Sequence, residues 1–175
     1  RHVRRSLEHL HPELASVDRG IVDYWRGSLA RAAARLAPRD WAWVQQGRNN
    51  HLTLVRALRR AGVPLLLGTD TPQPFVFPGA SVHDELAIYV AAGLNPTEAL
   101  ALATREPARF VGEENVWGTI EIGKRAALLL LDADPSKDIS ATRKVAGVAL
   151  GGRWYPSDRL RQMRRGVERV AAKSQ

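Results

Sequence analysis

Apolar residues recur at helical spacing through the first two thirds of the chain and at a shorter, strand-like period from about residue 113. The run Ile21 to Leu36 carries Ile21, Tyr24, Trp25, Leu29, Ala32, Ala33 and Leu36 along one stripe, and Pro38 is expected to end it. A second helix follows, with Leu52, Val55, Leu58 and Ala61 on one face and Arg56, Arg59 and Arg60 on the other. His51 is expected to open it, capped by Asn49 or Asn50, and Gly62 to stop it. Then Val63-Pro64-Leu65-Leu66-Leu67-Gly68-Thr69-Asp70 forms a wholly apolar run that ends on polar residues. Helix, tight glycine and continuous apolar strand in succession predict one unit of a parallel α/β sheet. Residues 71–80 hold Pro72, Pro74, Pro78 and Gly79 and read as a loop.

Helices resume at Ser81, an expected N-cap, with Asp84 and Glu85 in the first turn where the helix dipole favours anions. Leu86, Tyr89 and Val90 form the stripe and Gly93 the stop. Asn95-Pro96-Thr97-Glu98 opens the next helix, with Asn95 as cap and Pro96 at the first helical position. The turn Pro107 to Gly112 follows. Beyond it, Gly118-Thr119-Ile120-Glu121-Ile122-Gly123 alternates, Ala127 to Leu131 reads as a buried strand and Val145 to Leu150 as another. Gly151-Gly152 predicts a hairpin turn into Arg153-Trp154-Tyr155. Residues 156–175 read as a basic amphipathic helix, with Leu160, Met163, Val167 and Val170 on one face. The expected divisions are 1–112, 113–155 and 156–175.

Composition alters this picture little. The chain of 175 residues is long enough to bury a core, and its longest apolar run, Ala126 to Leu131, is strand-sized, so no membrane partner is expected. Arg1 leads into a polar segment, which predicts no signal peptide, and a first residue other than Met is expected of a truncated or processed chain. Zero cysteines exclude disulfides, thiolate metal ligands and a cysteine nucleophile, and fit a cytoplasmic location. The net charge of +8 invites a nucleic-acid reading. However, residues 1–39 hold 8 basic and 4 acidic residues, residues 156–175 hold 6 and 2, and residues 40–155 hold 12 of each. The excess sits at the two ends, no basic-aromatic module appears, and no nucleic-acid partner is expected.

The order of motifs is more specific than any one of them. Gly68-Thr69-Asp70-Thr71-Pro72 is followed by Val82-His83-Asp84-Glu85-Leu86, then Ala92 to Leu100, Ala103-Thr104 and Pro107-Ala108. Gly118 to Ala126 and Leu130-Leu131-Asp132-Ala133-Asp134-Pro135 complete it. This succession resembles the C-terminal part of the amidohydrolase superfamily, in the branch of imidazolonepropionase-like and prolidase-like metal-dependent hydrolases. The resemblance implies an α/β fold: the last strand of a (β/α)8 TIM barrel at 63–70 and closing helices at 81–112. Strands of a small composite β-sandwich would follow at 118–155. It implies hydrolysis of a C–N bond in a small-molecule amide, cyclic amide or dipeptide-like substrate, with a divalent metal, zinc being the expected ion. Asp70 stands at the C-terminal end of its strand, where barrel active sites lie, and the resemblance gives it the roles of metal ligand and proton acceptor from the attacking water. A loop-start Asp is the alternative reading of the residue alone.

His83, just beyond the loop, is a candidate for substrate contact, with local hydrogen bonding as the alternative. Phe75, Val76 and Phe77 suit a pocket lining or plain packing. Where the superfamily commonly has Asp, this chain has Ala127, a departure expected to touch the sandwich and not the chemistry. The remaining metal ligands of the superfamily, a first-strand His-x-His pair among them, are not found. His9-Leu10-His11 has that spelling, but 58 residues lie between His11 and Asp70, whereas seven βα units need on the order of 200. Both read as surface histidines of a long connection before the last strand. One barrel strand would leave edges and apolar faces uncovered, so a missing N-terminal half or a homo-oligomer is expected, and the isolated chain is expected to be inactive. Two rival readings are a non-catalytic remnant or assembly subunit, and a surface binder acting through the basic helix. Against the second, the arginines of 156–175 read better as a solvated face.

Overall fold

The computed structural model describes residues 11–37 and 39–173. His2, His9 and Pro38, with the expectations attached to them, lie outside the described residues. A 3-10 turn at Pro12–Ser16 leads into α1 (Arg19–Ala34) and α2 (Asp40–Arg60). After the segment 61–80 come α3 (Ser81–Ala91), α4 (Pro96–Ala103) and α5 (Arg105–Phe110). A three-stranded sheet, β1 (Ala127–Leu131), β2 (Val145–Leu150) and β3 (Arg153–Pro156), precedes α6 (Ser157–Ala171), and a second 3-10 turn, Ile139–Arg143, links β1 to β2. No helix of the described residues is long and apolar enough to cross a membrane.

Local signals in the sequence account for several boundaries. Asn95 Oδ1 accepts from Glu98 N at 2.9 Å while Glu98 Oε2 accepts from Asn95 N at 2.8 Å, a capping box that starts α4 with Pro96 in its first turn. Asn95→Ala is expected to cost about 1 kcal/mol, read as a lowered urea midpoint with an unchanged slope. Gly151 and Gly152, at φ of 58° and 72°, form the two-residue turn that sets the antiparallel register Leu150↔Arg153. Ser81 is the first helical residue and not the cap; its hydroxyl turns back to accept from Phe77 N at 2.8 Å. Helix α2 begins eleven residues before His51, so His51 lies inside the helix and Asn49 and Asn50 are not its caps. Two arginines of its exposed face also reach neighbouring elements: Arg56 donates to the carbonyls of Ala92 (2.9 Å) and Ala91 (3.0 Å) at the end of α3, and Arg59 pairs with Glu98.

Two small cores result. Leu14, Val22, Trp25 and Phe77 make the first, with Phe75, Val17 and Ala80 packed around them. The buried face of α1 is therefore Val22 and Trp25, while Ile21, Tyr24 and Leu29 of the expected stripe are exposed, because the partners of α1 are the 3-10 turn and the Pro-rich loop. Leu86, Ala99 and Ile139 make the second core, with Leu67, Val82 and Tyr89 among the surrounding residues. Ile139 of the second 3-10 turn thus holds the sheet region against α3 and α4.

Three expectations about strands are corrected. Residues 63–70 join no sheet; they are tied instead to the helices through Leu67 N→Leu102 O at 3.0 Å. A strand of a parallel sheet needs at least one neighbouring strand to pair with, and the described residues supply none beside 63–70. Ala127 to Leu131 is a strand, but it is an edge strand rather than a buried one, with Leu129 and Leu130 each 56% exposed. Residues 118–123 form a bend and a turn in place of an alternating strand. Gly118 there, at φ 101°, packs so closely on α5 that a Cβ would lie 2.6 Å from Ala108 Cβ. Within the sheet, the Trp154 ring lies over Gly147, where a Cβ would meet Cη2 at 2.1 Å. Helix α6 forms as expected, yet Met163, Val167 and Val170 of its apolar face remain exposed.

Candidate active site around Asp70

Asp70 closes the apolar segment and is exposed, in a left-handed conformation at φ 54°. Glycine, Asn and Asp adopt that region most readily; Phe75 in the loop beyond, at φ 63°, is the other non-glycine residue of the described chain that adopts it. Among the described residues the carboxylate has one hydrogen-bond partner, Gln73, whose Nε2 donates to Oδ2 at 3.5 Å. The loop beyond is braced by Thr71 Oγ1→Val76 O at 3.2 Å and Val76 N→Gln73 O at 2.9 Å.

The segment that carries Asp70 is held from α3. Glu85 Oε1 accepts from Gly68 N at 2.9 Å, and Tyr89 Oη donates to Leu66 O at 2.8 Å. These bonds replace part of the ladder that a sheet would provide. Burial and the nearby Glu85 carboxylate push the Tyr89 phenol above its usual range, keeping it a donor. Glu85 Oε2 is buried without a partner among the described residues. Sequence reading placed Glu85 at a helix start; its part in fixing Gly68 was missed, because the bond spans 17 residues and leaves no local pattern.

His83 sits elsewhere. Its Nδ1 lies 3.0 Å from Thr142 Oγ1, and that hydroxyl donates to Ile139 O at 2.8 Å. Next to it, Arg143 Nη2 pairs with Asp84 Oδ1 at 2.5 Å. Burial, then Arg143, lowers the His83 pKa, with Asp84 and Glu13 opposing. The folded state therefore binds a proton at His83 less readily than the unfolded chain. Its stability contribution is full above the unfolded value of 6.5 and declines as pH falls from there to the lowered folded value. Melting temperatures are expected to fall between neutral pH and pH of about 5, and to fall less in His83→Gln; equal losses in both proteins would contradict this.

Phe75 and Phe77 prove to be packing residues, with rings 5.7 and 6.0 Å from Trp25. His11 is no plain surface residue, since its ring packs 5.9 Å from Phe75 and 5.6 Å from Phe77. Among the described residues no group of three His, Cys, Asp or Glu side chains could hold a metal ion. Asp70 offers a hard oxygen ligand, but a catalytic ion takes about three protein ligands. The described residues therefore do not complete a metal site around it.

Comparison with known proteins gives this geometry a context. Residues 19–153 match the model described as "Amidohydrolase family". Imidazolonepropionase from Aeromonas hydrophila subsp. hydrophila is 32% identical over 139 residues, covering 77% of this chain and 30% of that protein. Ochratoxinase from Aspergillus niger is 30% identical over 132 residues, covering 73% of this chain and 26% of that protein. Among solved structures, a Xaa-Pro dipeptidase with bound methionine in the active site shares 29% identity at a TM-score of 0.55, over 61% of this chain and 25% of that one. This chain spans less than a third of the length of each.

Proposed function

This chain belongs to the amidohydrolase family, and on that premise we propose that it contributes the last-strand section of a metal-dependent hydrolase acting on C–N bonds. Residues 63–70 take the place of the eighth strand of a (β/α)8 barrel, with α3 to α5 closing it and residues 113–155 belonging to the adjoining sandwich. Members of the family generally use divalent metals; zinc is the ion proposed here, and when bound it activates water and polarises the scissile carbonyl. The substrate is a small amide, cyclic amide or dipeptide-like molecule, and the compartment the cytoplasm.

Asp70 carries the chemistry of this chain. As a carboxylate at the strand's C-terminal end it takes a proton from the attacking water and delivers it to the leaving nitrogen. Glu85 and Tyr89 fix the backbone at Gly68 and Leu66, and so hold Asp70 in register. The observation behind the assignment is the placement of a left-handed Asp at the end of an apolar segment within the residues matched to the family. Because the described residues hold no group of three ligands, the chain alone is expected to be inactive. Purified chain supplied with zinc should hydrolyse no member of a panel of N-acyl amino acids, Xaa-Pro dipeptides and cyclic amides. Turnover by the chain alone would overturn this reading. A second reading, a non-catalytic subunit of an amidohydrolase-like assembly, draws on the same missing ligands; it predicts that no longer form of the protein has activity either.

A further inference from the structure

A cavity of about 740 Å³ lies between the 3-10 turn Pro12–Ser16, the end of the Pro-rich loop and α6, and Asp70 is not among its lining residues. The volume is within the range of small-molecule sites. Phe77 and Val167 provide apolar walls, and Phe77 is fixed in the first core. Two arginines line the cavity from different elements, Arg143 from the second 3-10 turn and Arg164 from α6.

Each arginine already has one carboxylate. Arg143 Nη2 meets Asp84 Oδ1 at 2.5 Å and Arg164 Nε meets Glu168 Oε1 at 2.9 Å. These pairs use one nitrogen of each guanidinium, and such solvent-exposed pairs are weak and exchangeable. The planar fork of Arg is suited to a second carboxylate, which it grips with two parallel hydrogen bonds. Among the lining residues Glu13 is the one acid against two arginines; Asp84 and Glu168, which pair with those arginines, lie outside the lining and would have to yield to a ligand carboxylate. His83 lines the cavity as well, its Nδ1 held 3.0 Å from Thr142 Oγ1, and offers a bound molecule one further ring nitrogen for a hydrogen bond.

We propose that this cavity is a binding site for a small organic carboxylate with an apolar body, gripped by Arg143 and Arg164 and packed on Phe77 and Val167. The site is separate from Asp70, so it stands or falls independently of the hydrolase reading. Calorimetric titration of the full chain with hexanoate, 1-hexanol and hexylamine tests it. Hexanoate is expected to bind saturably, about tenfold or more tighter than either the alcohol or the amine, as one charge-assisted contact requires. Arg143→Gln and Arg164→Gln should each weaken hexanoate about tenfold, whereas Arg165→Gln on the same helix and Asp70→Asn should leave it unchanged. Arg143 also pairs with Asp84, so if Arg143→Gln fails to fold, the Arg164→Gln result decides. The proposal is overturned if hexanol binds as tightly as hexanoate. It is equally overturned if hexanoate shows no saturation at millimolar concentration, or if the Arg164→Gln protein binds like its parent.

Discussion

In a form of the protein that hydrolyses an amide, Asp70→Asn is expected to lower kcat/KM by roughly 10²–10⁴-fold, the range for removal of a positioned proton-transfer group. Asn is the informative replacement. It tolerates the left-handed φ of 54° nearly as well as Asp, so the loop keeps its path and only the ionisable oxygen is lost. Asp70 is exposed and its one hydrogen bond among the described residues is the 3.5 Å bond from Gln73, so thermal stability should be unchanged. A variant that keeps full activity would remove Asp70 from the chemistry. A variant that loses activity and stability together would make it a structural residue.

The largest effect on folding is expected from Gly118→Ala. The new Cβ would sit 2.6 Å from Ala108 Cβ, 3.1 Å from Thr104 O and 3.3 Å from Arg105 Cα. Two of these atoms are backbone, and Ala108 is fully buried, so nothing yields easily. The φ of 101° adds left-handed strain for any side chain. Strain and overpacking of about 1–3 kcal/mol each suggest a loss of about 3 kcal/mol. For a chain of this size that lowers Tm by roughly 6–12 °C. Gly112→Ala separates the two causes, since Gly112 has a φ of 73° and open space where its Cβ would go. If Gly118→Ala costs no more than Gly112→Ala, the packing of this turn on α5 is not as described.

What could be read from the sequence was what short-range geometry controls. Asn95-Pro96 and Glu98 encode a helix start within four residues, and Gly151-Gly152 encodes a hairpin within two; neither depends on the rest of the fold. The order of motifs pointed to the family and to Asp70 in the same way, as a pattern along the chain. Contacts between distant residues were not legible. Nothing near Glu85 announces that it will accept from Gly68 N, and nothing near His83 announces Thr142, 59 residues away. The strand expectations failed for a different reason. Val63 to Asp70 and Ala127 to Leu131 have the apolar continuity of buried strands, but burial needs neighbours that the described residues do not provide. Helix α2 shows the same feature: it has no buried residue, and Trp43 on it is 81% exposed. Apolar surface on this scale is uncommon on a finished monomer, and it suits a section of a larger barrel.

The central claim is that this chain supplies the Asp70 end of an active site whose other ligands come from elsewhere in the same protein. Reading the coding DNA directly upstream of the codon for Arg1 tests it most directly. The expected result is an in-frame segment of about 200–300 residues, the rest of a barrel, with an apolar strand ending in His-x-His. A stop codon or a start site close upstream of Arg1 would contradict it and leave the non-catalytic subunit as the reading to pursue.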